Sequence, residues 1–188
     1  MLEPYLIAHC APTLASLKTA SLFRLAAVSE PELRQQLADW NALLRQKGLF
    51  LLLLRQRGEE ALLYLYRASQ LRADLQKPGM CRFLARYGYP AADLAAADLT
   101  ALLKRLQQRL QESEDFPHEI GLFLGYPLGD VAGFIRHGGR NCKCCGCWKV
   151  YGNECEARRT FARFHKCSAV YARLWQAGRS VGQLTVKA

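Results

Sequence analysis

Four cysteines within six positions constrain this chain more than any other feature. Cys142, Cys144, Cys145 and Cys147 fall in the stretch Asn141–Tyr151, NCKCCGCWKVY, and Cys155 and Cys167 follow. Thiols kept in a reducing compartment read as metal ligands or redox groups before they read as structural disulfides. The N-terminus, MLEPYLIAHC, has no basic segment and no long apolar run ahead of a cleavage site, so no leader is expected. The longest strongly apolar run, Leu49 to Leu54, is far too short to cross a bilayer. The expectation is a cytoplasmic protein without a membrane span.

The spacing restricts which thiols can meet. Zinc and iron–sulfur sites need several thiolates about 2.3 Å from the metal. Cys144-x-x-Cys147 has knuckle spacing, and Gly146 inside it permits a tight turn. Beyond the overlapping Cys142-x-x-Cys145, no separate second CxxC exists to complete a tetrahedral site. Cys155 and Cys167 share one expected helix, about 18 Å apart along its axis and roughly 120° apart around it, so they cannot serve one ion. Cys155, in the first turn, is the better partner. The expected metal set is therefore Cys142, Cys144, Cys147 and Cys155, with zinc or an iron–sulfur cluster as the cofactor, and Cys145 aimed elsewhere. The same residues suit thiol redox, because a helix start and the neighbouring Arg158 and Arg159 lower a thiol pKa. Free cysteine is also a good small core residue, so a purely structural role stands beside both.

Charge adds a second line. The net charge is +10 with a pI near 9.4, which favours an anionic partner. Residues 136–167 hold eight Lys and Arg against Glu154 and Glu156. A solvated basic face explains this equally simply. Lys149, Arg158 and Arg159 are candidate anion contacts there. Near the start, Thr13 and Lys18, with exposed amides at a helix start, form a second candidate anion site.

The 188 residues are about half apolar, enough for one domain with a real core. Leucines between Thr13 and Ala27 predict a helix with Pro12 in its first turn. Ser29 and Glu32 make a capping box, and Leu33, Leu37, Trp40 and Leu44 line one face of the next helix. Leu49–Arg55 and Ala61–Arg67 predict a hairpin around Arg57-Gly58-Glu59. Short helices are expected from Ser69 and from Met80 to Tyr87, a long one from Asp93 to Gln111, and a polar connector from Ser113 to Pro117. Two short helices broken at Gly125-Tyr126-Pro127 occupy 118–137. A strand over Cys147–Tyr151, a helix capped by Asn153 and ending at Gly178, and an edge strand over Gln183–Lys187 complete the reading. The fold class is α+β: a mostly helical single domain around three to four strands. An N-terminal helical and hairpin part (1–112) precedes a Cys-rich part (118–188).

Two further motifs carry candidate chemistry. His9-Cys10 pairs an imidazole with a thiol, and His118-Glu119 pairs an imidazole with a carboxylate. Together they define an alternative enzyme reading with a His/Cys/Glu pocket. Adjacent helical side chains diverge by about 100°, so capping and core roles compete with it. Residues 119–135 also resemble a helix-turn-helix. Its second helix, LGDVAGFIR, has almost no side chain able to read base edges, and Asp130 would repel phosphate. Nucleic-acid binding is thus a secondary alternative.

Three runs, HCAPTLASLKTASLF, FPHEIGLFLGYPLGDVAGFI and CGCWKVYGNECEA to the end, resemble DUF3793, a family of bacterial proteins chiefly from anaerobic Firmicutes. The resemblance covers nearly the whole chain and implies a cytoplasmic single-domain protein with no assigned activity. It carries over to His9, Cys10, Thr13, Lys18, His118, Glu119, Cys144, Cys147, Trp148, Lys149 and Tyr151. It also implies redox or iron-handling company, such as a flavodoxin-like partner.

Overall fold

The computed structural model describes residues 2–26, 29–96, 98–112 and 116–187. The chain is α+β, with a three-stranded antiparallel sheet, a separate two-stranded ladder, and helices making up the rest. It forms two compact units. One gathers Met1–Ser69 and Phe164–Ala188, the other Gln70–Arg163.

In the first unit, α1 (Glu3–Leu14) leads into β1 (Ala20–Leu25), α2 (Glu30–Leu44), β2 (Leu49–Arg57) and β3 (Glu60–Arg67). The sheet order is β1-β3-β2, with Phe23 opposite Leu63 and Leu51 opposite Leu65. Leu63 and Leu65, with Phe23, Leu25 and Leu51, put one face of the sheet into a core shared with Leu6, Leu14 and Leu33. The leucine-rich hairpin forms because every second residue finds this core. Asn41 of α2 covers the outer edge of β2: its amide accepts from the Leu51 N–H at 2.9 Å and donates to the Leu51 carbonyl at 2.8 Å. That satisfies groups which would otherwise leave an open edge.

The expected helix over 13–27 is corrected by the structure. Pro12 lies in the last turn of α1, where its carbonyl accepts from the Leu17 and Lys18 N–H groups. Ser16 turns the chain at φ 59°. Residues 20–25 then pair with β3, because an available strand partner overrides leucines spaced three apart. Ala27 lies outside the described residues. Ser29 does sit at the start of α2, but its side chain makes no capping bond.

The C-terminal segment is corrected as well. Instead of an edge strand, residues 181–184 form the short helix α10, closed by a Ser180–Gln183 capping box. It returns to the first unit through named bonds. Lys47 Nζ donates to the Gly182 and Thr185 carbonyls at 2.6 and 2.7 Å, and Val186 N–H donates to Leu14 O at 2.9 Å. Arg67, fully buried, donates to Thr13 O, Leu14 O and Val186 O at 2.7–2.8 Å. These bonds hold the C-terminal segment to α1 and β3 within the first unit.

The second unit contains α4 (Met80–Ala85), α5 (Ala91–Ala96), α6 (Leu99–Glu112), α7 (Ile120–Phe123), α8 (Leu128–His137) and the strands β4 (Cys144–Cys145) and β5 (Lys149–Val150). α3 (Ala68–Leu75) and α9 (Glu154–Gln176) contribute residues to both units. The long helix expected from Asp93 is two helices. Asp98 Oδ1 accepts from the Thr100 and Ala101 N–H groups, as a cap does, and starts α6 afresh. Most of the expected 113–117 connector, residues 113–115, lies outside the described residues.

Arg67 gives the first test. Arg67→Met should lower stability by roughly 3 kcal/mol or more, because it leaves three carbonyls without their donor. Urea unfolding checks this.

Candidate functional site

The cysteine stretch folds as a hairpin. Cys144 pairs with Val150 and Cys145 with Lys149, and Gly146 N–H donates to Trp148 O at 3.1 Å across the turn. A Cβ on Gly146 would lie 2.3 Å from Phe161 Cδ2, so only glycine lets the turn lie flat on α9. Cys144, Cys147 and Trp148 pack on one small cluster of Val150, Ala157 and Phe161. Cys145 is exposed, Cys142 half-buried, and Cys155 exposed at the start of α9. None of the eight cysteines is joined in a disulfide. Burial pushes the Cys144 thiol up; Arg158 opposes this, while Glu154, Cys142 and Asp130 add to it.

Among the described residues, no three or more His, Cys, Asp or Glu side chains are grouped to hold an ion. The set Cys142, Cys144, Cys147 and Cys155 is not gathered into such a group among the described residues, where zinc or an iron–sulfur cluster would need several converging thiolates. Arg158 is paired with Glu154 one turn back, Nη2 to Oε1 at 2.7 Å.

Asp130 fastens the hairpin to α8. Only 3% exposed, it accepts from Trp148 Nε1 at 2.7 Å through Oδ2, and from the Tyr151 and Gly152 N–H groups at 2.8 and 2.7 Å through Oδ1. Tyr126 stacks on Trp148 with centroids 4.9 Å apart, and Trp148 meets Phe161 edge-on at 4.6 Å. Beside them opens a cavity of about 510 Å³ lined by Tyr126, Leu128, Trp148, Glu156 and Thr160.

α7 and α8 sit where the helix-turn-helix resemblance places them, and Val131 packs over Gly121. The face of α8 is covered, however. Tyr151 lies so close to Gly133 that a Cβ there would be 2.4 Å from Tyr151 Cγ. Tyr151 also stacks on His137 and donates to Arg140 O at 2.9 Å. A helix packed in this way does not present that face to a DNA groove. Lys149 Nζ donates to Gly139 O at 2.7 Å and lies over the Phe134 ring. Arg159 is exposed on α9.

In the first unit, His9 and Cys10 part company. His9 is exposed and stacks on Phe23 at 5.9 Å, whereas Cys10 is fully buried. Burial pushes the Cys10 thiol up to about 12, against smaller lowering effects of Lys18 and of its Ser21 hydrogen bond. The pair is thus no activated thiolate. Thr13 is buried with its hydroxyl on Ser21 Oγ at 2.9 Å, which leaves Thr13 no part in an exposed anion site with Lys18.

In the second unit, His118 is exposed and meets Phe134 edge-on at 4.8 Å. Glu119 is 1% exposed and ion-paired with Arg109 of α6, with the Tyr89 hydroxyl donating to it at 3.5 Å. Burial, then the Glu119 charge, pushes the Tyr89 hydroxyl far up, so it stays a donor. Glu119 joins two helices, and His118 points away from it into an aromatic contact.

Asp130 is the residue whose structural role sequence reasoning missed, having weighed only its charge against phosphate. Its signal lay in the number of donors downstream, and nothing in LGDVAGFIR reveals which of them it meets.

Two outcomes follow from this geometry. Asp130→Ala should cost roughly 3 kcal/mol or more, since three donors lose a charged acceptor, and should release Trp148 fluorescence toward that of solvated indole. For Cys10, the thiol is protonated in the fold above the ordinary 9.0. Its contribution is fully present below pH 9 and is lost as pH rises toward 12, because the unfolded chain ionises first. Cys10→Ala should flatten that alkaline limb in urea midpoints measured across pH.

A family model described as protein of unknown function (DUF3793) matches residues 6–185, nearly the whole chain, and the chain belongs to that family. No curated protein and no solved structure matches it.

Proposed function

We propose that this member of the DUF3793 family carries a redox-active dithiol, with Cys144 and Cys147 as the exchanging pair. The observation that carries the reading is their shared position. Both sulfur-bearing side chains lie on the Val150–Ala157–Phe161 cluster, across a turn that glycine keeps tight. A disulfide needs two thiols, whereas a structural metal needs four ligands, and no group of three or more is found among the described residues. In a reducing compartment such a pair works in its transient oxidised form.

The exchange balances with a disulfide partner. One thiolate attacks a sulfur of the partner and releases its first thiol, giving a mixed disulfide. The second cysteine attacks that bond and releases the second thiol. The protein loses two hydrogens, and the partner's disulfide is reduced to two thiols. Burial holds the Cys144 thiol up, so its thiolate fraction, and with it the exchange rate, should rise from neutral toward alkaline pH.

The test uses reduced, anaerobically purified protein with glutathione disulfide as the probe. Peptide mapping should find a Cys144–Cys147 link, and Cys144→Ser should trap a mixed disulfide at Cys147. No link, a link through other cysteines, or elemental analysis finding one ion held by Cys142, Cys144, Cys147 and Cys155 would overturn the proposal.

A further inference from the structure

The second unit holds a basic cleft that the dithiol reading does not use. It measures about 480 Å³ and is lined by Arg136, His137, Asn141, Lys143 and Tyr151 over a floor of Gly129, Ala132 and Gly133. Among the described residues, no carboxylate lines it. The neighbouring Asp130 is spent on Trp148 and on the Tyr151 and Gly152 amides. Arg136 is exposed and has no ion pair or side-chain hydrogen bond among the described residues. Lys143 donates to Gly152 O at 2.7 Å, which fixes its ammonium and leaves two protons for a ligand.

A helix C-terminus repels an anion when its carbonyls are free. Here they are capped. Gly139 N–H donates to Phe134 O at 3.0 Å, and Arg140 N–H to His137 O at 3.0 Å. Lys149 Nζ donates to Gly139 O beside them. The positive side chains therefore decide the sign of the cleft. Its volume suits a phosphate with a sugar-sized body, and the guanidinium fork and the ammonium are the two side chains that bind phosphate best.

We infer that this cleft binds a small phosphate monoester, with Arg136 and Lys143 on the phosphoryl oxygens and Tyr151 and His137 forming a wall. The site is separate from the thiol chemistry, and its test does not depend on it.

Isothermal titration calorimetry on the full chain, with ribose 5-phosphate and inorganic phosphate as probes, decides the matter. One saturable site is expected, with the ester bound more tightly than the free ion. Arg136→Gln should weaken it about tenfold, the loss of one charge-assisted contact. Arg86→Gln, an exposed arginine outside the cleft, should leave it unchanged. Absence of saturation, equal binding in Arg136→Gln, or equal loss in Arg86→Gln would overturn the inference. So would a single-stranded oligonucleotide that binds through Arg136 and displaces the ester, which would make the surface a nucleic-acid contact instead.

Discussion

The carboxylate of Asp130 is the constraint on which the cysteine-bearing part of the chain depends. A ladder of two residues per strand cannot hold itself together in water. It persists because a buried charge on α8 takes three donors from the residues that flank β5, Trp148 before it and Tyr151 and Gly152 after it. Hydrogen bonds to a charged group contribute about 1.5–3 kcal/mol each, well above neutral ones. The Trp148 ring, once its N–H is fixed, becomes a wedge between Tyr126 and Phe161. Packing then locates Cys144 and Cys147, and the chemistry available to those thiols descends from one aspartate.

The first unit uses a cation in the reciprocal way. Arg67 is wholly buried, and it donates to three backbone carbonyls, two at the end of α1 and one in the C-terminal segment. Desolvation lowers its pKa, and the carbonyl dipoles offset part of that cost. In each unit, a single charged side chain satisfies backbone groups where helix or strand geometry leaves them open. Both charges are placed by elements far from them in sequence, which is why neither shows in a local pattern.

This separates what was legible in the sequence from what was not. The hairpin of β2 and β3, the breaks at Gly125 to Pro127 and the Asn153 start of α9 were legible, since each rests on neighbours a few residues apart. Strand β1 was not, because its leucines fit a helical spacing and only the β3 partner decides otherwise. The candidate sites divide along the same line. The Cys144–Cys147 spacing is local and its shared face could be read. The joining of Cys142 and Cys155 to that pair is a tertiary matter, and the fold does not group the four. His9-Cys10 and His118-Glu119 part because burial takes one member of each while leaving the other outside; for His9-Cys10, on α1, the divergence of adjacent helical positions made this visible.

The same hairpin also decides where the chain's positive charge is usable. Tyr151 is held near Gly133 by the hydrogen bond its backbone N–H donates to Asp130, and in lying there it closes one side of the basic cleft and covers the helix face that a DNA reader would need open. Net charge alone favours any polyanion. Once α8 is covered and Lys149 and Arg158 are engaged by Gly139 and Glu154, the remaining free cation beside a concave surface is Arg136, among the described residues of that cleft. A concave site with one free guanidinium and one fixed ammonium selects a compact dianion over an extended backbone, because an extended polyanion needs a row of cations and this surface offers a pocket.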